Sequence, residues 1–376
     1  MRKNLFVRSI AAVSGIVMLA SLAACGDNTS SAGNNSGSTS TEKITGSFSG
    51  AGATSQQAAE EAWISAYMAA NSGANVTYNP TGSGAGVTTF LSGATAWAGS
   101  DKALSDDEVT QSSDKACANG TTAFDVPVYI SPIAIIFNLK GVSDAGKHIN
   151  LDADTAAKIF DGKIVKWNDP AIANQNKDLT LPDTQITVVH RSDKSGTTQN
   201  FVSYFKDQAP DSWTHELSEN WPDIPGQQSA KGTSGVVTAV KQADGTIGYA
   251  DFSQVGDLGT VAVKVGEKYN VISAKAGSKV IEDSKQDTTV TGDNRVVIKI
   301  NHATKADGAY PIVLVSYDVV CPAYKDAKQA EFAKAWLTYV TSDEGQKAAQ
   351  DAAGTAPLPA SLKTKVAKSI EAIKTK

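Results

Sequence analysis

The run Val126-Pro127-Val128-Tyr129-Ile130-Ser131-Pro132-Ile133-Ala134-Ile135-Ile136-Phe137 carries no charge, and it limits the fold more than any other part of the chain. It is rich in β-branched side chains, and its two prolines disfavour a continuous helix, which leaves a strand covered on both faces. A second run of the same character spans Tyr310 to Val320. Two buried strands so far apart in sequence can act as crossovers between two lobes. Ahead of the first run the chain reads strand, glycine turn, helix, twice over. Ile44 to Gly50 predicts a strand, Gly50-Ala51-Gly52-Ala53-Thr54-Ser55 a turn, and Ala59, Trp63, Ala66 or Tyr67, and Ala70 one apolar helix face. Asn75 to Asn79 is the next strand, and Thr81-Gly82-Ser83-Gly84-Ala85-Gly86 opens a short helix with Val87, Phe90 and Leu91 on one side. That rhythm belongs to an α/β protein.

Between the two apolar runs, Ile186 to His190 and Gly245 to Tyr249 predict strands, while Ser195 to Asp207 and a start at Val236 predict helices. Glu331 to Val340 and Glu344 to Ala353 follow as helices, the second opened by Thr341-x-x-Glu344 as a capping box. A chain of 376 residues is long enough for two domains, and no internal repeat is visible.

The amino terminus predicts an export signal over residues 1–24, with Arg2, Lys3 and Arg8 ahead of an apolar stretch from Ile10 to Leu22. Leu22-Ala23-Ala24-Cys25 has the form of a bacterial lipobox, in which the Cys25 thiol takes diacylglycerol and becomes the mature terminus. Residues 25–43 are polar and glycine-rich, a flexible tether with a reach of about 20–25 Å. Removing the signal takes three of 34 basic residues and leaves 31 against 39 acidic, so the net charge falls from −5 to −8. A chain this acidic does not bind nucleic acid by neutralising phosphates. Cys117 and Cys321 remain, and an exported compartment permits either a disulfide or two buried thiols.

Ala53-Thr54-Ser55, Gly82-Ser83-Gly84 and Ser195-Gly196-Thr197 each put a hydroxyl beside glycine or alanine ahead of a helical run. Helix starts offer amide N–H groups and the positive end of the dipole, and with a hydroxyl they suit a small oxyanion. Ser and Thr cap helices in any protein, so the argument rests on co-occurrence. Arg191 lies four residues before Ser195, which lets one loop offer a guanidinium fork, a hydroxyl and helix amides. Asp193 is either the orienting partner of Arg191 or an Asx-turn residue. Gly232-Thr233-Ser234-Gly235 also precedes a helix and is taken as structural. Asp101, in Gly99-Ser100-Asp101, is the counterintuitive member of the set.

These stretches, together with Phe160-Asp161-Gly162-Lys163-Ile164-Val165-Lys166-Trp167-Asn168-Asp169-Pro170 and Gly245-Thr246-Ile247-Gly248-Tyr249, occur in the order seen in PstS-type phosphate-binding proteins, which the chain resembles from about residue 44 onward. Those proteins are the substrate receptors of the bacterial high-affinity ABC phosphate importer. The resemblance implies a type II periplasmic binding protein fold, with lobe 1 over residues 44–128 and 311–376, lobe 2 over 129–310, and the ligand between them. It implies phosphate contacts at Thr54, Ser55, Ser83, Asp101, Arg191, Ser195, Gly196 and Thr197. The family often has an aromatic residue in place of Ser55, acting through its backbone N–H. It further implies an outward-facing monomer, held to the membrane by lipid on Cys25, with permease subunits as partners and neither cofactor nor metal.

Two other readings use the same residues. An exported phosphatase or other hydrolase would need a nucleophile with a base or a metal. The four histidines, 148, 190, 215 and 302, lack metal-site spacing, and His190 beside Arg191 reads as a structural strand-end residue rather than a base for Ser195. A receptor for a different oxyanion is the closer rival. Asp101 argues against sulfate, which brings no proton to share with a carboxylate. The glycine-rich stretch from Gly82 lacks the lysine of a nucleotide loop.

Overall fold

The computed structural model describes residues 44–143 and 147–375, so the export signal, Cys25 and the tether lie outside the described residues. The first part of the chain builds β1 (Gly46–Gly52), α1 (Gln57–Ala70), β2 (Ala74–Asn79), α2 (Ser83–Leu91), β3 (Trp97–Ser100) and α3 (Asp106–Lys115). The long apolar run becomes β4 (Phe124–Asn138). There follow β5 (Ile149–Leu151), α4 (Ala153–Phe160), α5 (Pro170–Ala173), β6 (Thr187–Arg191), α6 (Gly196–Gln208), β7 (Gln228–Ala230), α7 (Gly232–Gln242) and β8 (Thr246–Asp251). After β9 (Gly259–Val265), β10 (Lys268–Asn270), α8 (Ala274–Glu282), β11 (Lys285–Gln286) and β12 (Ile298–Lys299), the second apolar run forms β13 (Val313–Val320). The chain ends in α9 (Ala327–Val340), α10 (Asp343–Ala353) and α11 (Ala360–Glu371).

One mixed sheet runs β2-β1-β3-β13-β4-β8-β6-β7, and β4 joins its two halves. From Phe124 to Pro132 it pairs with β13, and from Ile133 to Asn138 with β8. The prolines that mark the run sit where the ladder changes. Pro132 is the last partner of β13, and Pro127 lies at a register shift where Tyr317 pairs with Pro127 and Ser316 with Tyr129. A residue without N–H fits such breaks because it has no ladder bond to lose. The skipped residue, Val128, gives its carbonyl to Gln346 Nε2 at 2.6 Å. β13 pairs with β3 and β4, so it lies in the first half of the sheet.

Each half packs its own aromatic group within one continuous core. In the first, Phe48 stacks on Phe332 with ring centroids 4.1 Å apart, and Trp63, Tyr67, Trp97 and Trp336 close around them. In the second, Phe201 stacks on Tyr249 at 4.5 Å beside Phe160, Phe205, Trp213 and Trp221. A disulfide joins Cys117 to Cys321 across a separation of 204 residues. Closing so long a loop restricts the unfolded chain by about 5 kcal/mol in the chain-entropy account.

Two local expectations need correction. Ser342, not Thr341, caps α10, its Oγ accepting from Gly345 N, while the Thr341 hydroxyl is spent on the Leu337 carbonyl at the end of α9. A reciprocal capping box does occur, at Ser105 and Glu108 of α3. On α1 the buried face is Ala59, Glu60, Trp63 and Tyr67, with Ala70 exposed. Glu60 is the surprise, because an acid in that core needs a partner.

Trp97 Nε1 donates to one Glu60 oxygen at 3.1 Å and Trp336 Nε1 to one Asp318 oxygen at 3.3 Å, while the other oxygen of each acid is buried without a hydrogen bond. Burial pushes both carboxyls up, Asp318 to about 7, and mutual repulsion pushes Glu60 further. With the folded-state value raised, the native protein keeps a proton between about pH 4 and 7 that the unfolded chain has released, so stability from this group is lost as pH rises through that window. Asp318→Asn has no proton to lose. Its melting temperature should therefore gain on wild type by more at pH 8 than at pH 5, a difference of roughly 2 kcal/mol or a few degrees. Equal gains at both pH values would show that Asp318 does not hold its proton.

Candidate functional site

Strand ends and helix starts meet where the two halves of the sheet face each other, the usual place for a ligand in an open α/β sheet. β1 leads through Thr54 and Ser55 into α1, β3 delivers Asp101, and Gly82 opens α2. From the other half, β6 ends on Arg191, Ser195 caps α6, and Gly232 begins α7. Of the residues expected from the sequence, Thr54, Ser55, Ser83, Asp101, Arg191, Ser195 and Thr197 are brought together here, none more than 7% exposed, and Gly196 is buried beside them.

Asp101 is the centre. Its Oδ2 accepts from Ser55 Oγ at 2.6 Å and from Thr197 Oγ1 at 2.7 Å, and its Oδ1 from Ser316 Oγ at 2.9 Å. Its backbone is held as well, the N–H by Ser83 Oγ at 3.3 Å and the carbonyl by Asn200 Nδ2 at 2.7 Å. Burial pushes the Asp101 carboxyl up from its ordinary value, against the pull of the three hydroxyls and the Arg191 charge. The Ser55 hydroxyl is thus committed to Asp101.

Arg191 is oriented by Asp193, which takes Nε at 2.8 Å and Nη2 at 2.5 Å. The same carboxylate accepts from Gly232 N at 2.9 Å, tying the Arg191 loop to the start of α7. Burial alone would push Asp193 up, but the Arg191 fork and that amide hold it below the usual carboxylate range. Asp193 is thus the partner of Arg191 rather than a free turn residue. Ser195 Oγ accepts from Thr198 N at 3.2 Å, which leaves its proton to donate.

Gly232-Thr233-Ser234-Gly235, which the sequence reads as a structural turn ahead of a helix, is the first turn of α7 and reaches Thr54. Thr233 Oγ1 lies 2.9 Å from Thr54 Oγ1, and Thr233 N donates to Thr54 Oγ1 at 3.0 Å. Its signal was the same hydroxyl-beside-glycine pattern used elsewhere. Ser316 was missed outright, although a serine inside an apolar run is the kind of buried hydroxyl that must find a partner.

Other bonds close the mouth between the halves. Lys102 reaches Glu108 at 2.6 Å and Glu219 at 3.6 Å, and Lys194 reaches Glu219 at 3.2 Å and Glu108 at 3.5 Å. Gly84 N also donates to the Lys194 carbonyl at 3.2 Å. His190 is occupied elsewhere, its Nδ1 on the Arg191 carbonyl at 2.9 Å and its ring stacked on Trp221. Among the described residues no group of His, Cys, Asp and Glu could hold a metal ion.

Comparison with known proteins places the chain in a family. Residues 37–344 match the family model for a PBP superfamily domain. The phosphate-binding protein PstS2 of Mycobacterium bovis is 36% identical, covering 98% of this chain and 99% of that protein. The phosphate-binding protein PstS of Xylella fastidiosa is 32% identical, covering 84% of this chain and 82% of its own. Among solved structures, a high-affinity periplasmic phosphate-binding protein with bound phosphate superposes with a TM-score of 0.69 at 22% identity, covering 85% of this chain and 93% of that one. The shared fold is the mixed α/β sheet of the periplasmic binding proteins.

The approach of α6 to Asp101 depends on Gly196, where a Cβ would lie 2.8 Å from the Asp101 carbonyl carbon and 2.9 Å from its Cβ. Gly196→Ala should hold α6 back and weaken capture of a small oxyanion by about tenfold or more, read by calorimetric titration with phosphate. Unchanged affinity would mean that the two halves need not approach this closely.

Proposed function

Because the chain belongs to the PstS-type phosphate-binding family of the PBP superfamily, we propose that the residues gathered around Asp101 are the place where it captures inorganic phosphate. The protein is an extracytoplasmic phosphate-binding component of an ABC transport system, a receptor rather than a hydrolase. The observation that carries the site assignment is a buried carboxylate ringed by hydroxyls from both halves of the sheet, with the Arg191 guanidinium held nearby by Asp193.

In this reading Arg191 supplies the full positive charge. Thr54, Ser83 and Ser195 supply hydroxyls, while Ser55 and Thr197, whose hydroxyl protons go to Asp101, supply backbone amides along with Gly196 and the helix starts. Thr233 joins them through its contact with Thr54. Asp101 gives selectivity. Phosphate near neutral pH carries at least one proton, so phosphate and carboxylate can share it in a hydrogen bond. Sulfate carries none and meets only repulsion. A buried unmatched charge costs several kcal/mol, and about 4 kcal/mol is already a thousandfold preference.

Asp101→Asn should narrow the phosphate-over-sulfate preference, and Arg191→Ala should weaken phosphate binding by about tenfold or more. Calorimetry on the purified variants measures both. Sulfate competing no better against the Asn variant than against wild type would refute the role of Asp101, and wild-type affinity in the Ala variant that of Arg191.

The two-lobe division, residues 44–128 with 311–376 against 129–310, is the layout we propose for opening and closing around the ligand. Phosphate touching both lobes favours the closed arrangement by its difference in affinity for the two, and the permease would sense that closure. We further propose that the protein is a monomer anchored through lipid on Cys25, with residues 25–43 as the tether. Cys25→Ser should move it from the membrane fraction into the soluble fraction on cell fractionation. Retention at the membrane would argue against a lipid anchor on that residue.

A further inference from the structure

Gln56, the residue between the Ser55 donor and α1, is fully buried, and its side chain is bonded at both ends. Nε2 donates to Ser316 Oγ at 2.8 Å and to the Tyr317 carbonyl at 3.1 Å, while Oε1 lies 3.2 Å from the Tyr78 hydroxyl. A backbone carbonyl only accepts, so the amide cannot be turned round without losing that bond, and Nε2 must face Ser316. Ser316 Oγ thus accepts a hydrogen bond from Gln56, and its own proton is donated to Asp101 Oδ1.

Two features of the backbone serve this arrangement. A Cβ on Gly99 would sit 1.9 Å from Gln56 Oε1 and 2.3 Å from the Tyr78 hydroxyl, so a side chain there would expel the amide. Ser316 pairs with Tyr129 beside the register shift left by the extra residue Val128, and such irregularities occur next to functional sites. Each carboxylate oxygen has about two acceptor positions. Oδ2 is filled by Ser55 and Thr197, and Oδ1, with Ser316 on one position, keeps the other for an incoming hydroxyl.

We infer that Gln56 is a positioning residue for anion selectivity: it commits Ser316 as a donor to Asp101, so that the carboxylate presents one fixed acceptor position to the ligand. The inference rests on the reading of Asp101 as the acceptor of a phosphate proton. Without the amide, the Ser316 hydroxyl is free to rotate, the carboxylate loses a fixed donor, and discrimination against a proton-free anion falls.

The test is a double-mutant cycle on the full protein. Wild type, Gln56→Met, Ser316→Ala and the double variant are titrated with phosphate and with sulfate, and melting temperatures are recorded alongside. Each single variant should lose about tenfold of the phosphate-over-sulfate preference, and the double variant should lose no more than Ser316→Ala, because Gln56 acts through Ser316. An unchanged preference in Gln56→Met, even with a lower melting temperature, would overturn the proposal, as would additive losses. Should Gln56→Met fail to fold, Ser316→Ala alone decides, since an unchanged preference there removes the link. Wild-type protein that takes up no phosphate would overturn the phosphate reading along with this one. Uptake by wild type with an unchanged ratio in the variants overturns this one alone.

Discussion

A carboxylate shut away from water must be met by donors or give up its charge, and Asp101 is met from three directions. Ser55 comes from the start of α1, Thr197 from the first turn of α6, and Ser316 from the middle of β13, at sequence separations of 46, 96 and 215 residues. The backbone of Asp101 is taken up by Ser83 and Asn200. The site therefore exists only where the two halves of the sheet meet, and β4, paired with β13 on one stretch and β8 on the next, sets where that is. Parting the halves would take Thr197 from Asp101 and open the carboxylate to water, so the closed position of the helix starts is a matter of hydrogen-bond satisfaction as much as of packing.

Net charge plays little part in this. The chain carries −5 overall, yet the groups we propose for anion capture are one guanidinium and neutral dipoles in a closed place, where local donors outweigh the distant field. The charges at the mouth cancel among themselves, Lys102 and Lys194 against Glu108 and Glu219. Arg191 is itself balanced by Asp193. In that proposal an incoming anion meets directed N–H and O–H groups, which recognise geometry and protonation where a basic patch would recognise charge alone.

Much of the site was legible because its residues sit in short segments with local signatures. Hydroxyls beside small residues at helix starts, and an Arg four residues ahead of one of them, announce themselves in linear sequence. Thr233 carries the same signature, but nothing local tells a cap that faces a ligand from one that faces solvent. Ser316 and Gln56 have no signature at all. One is a serine in an apolar strand and the other a glutamine at a helix start, and each matters only through partners 215 and 260 residues away. Glu60 shares a helix face with Trp63 and Tyr67, but an acid on such a face is accepted only because Trp97, distant in sequence, donates to it. Pro127 and Pro132 were legible as helix breakers, but their places at a bulge and at the change of ladder partner appear only once β13 and β8 are paired.

The sequence by itself determined the α/β alternation, the two buried strands, the glycine-rich turns, and the family whose motifs run through the chain, since each of these depends on neighbours a few residues apart. Only the tertiary structure decided that Cys117 meets Cys321, that Ser342 rather than Thr341 caps α10, that Thr233 faces Thr54, and that Asp101 is held through Ser316 by Gln56. Those outcomes turn on which of many chemically similar groups end up within about 3 Å of one another, and hydrogen bonds of that reach are set by strand register and by the close packing of two distant halves.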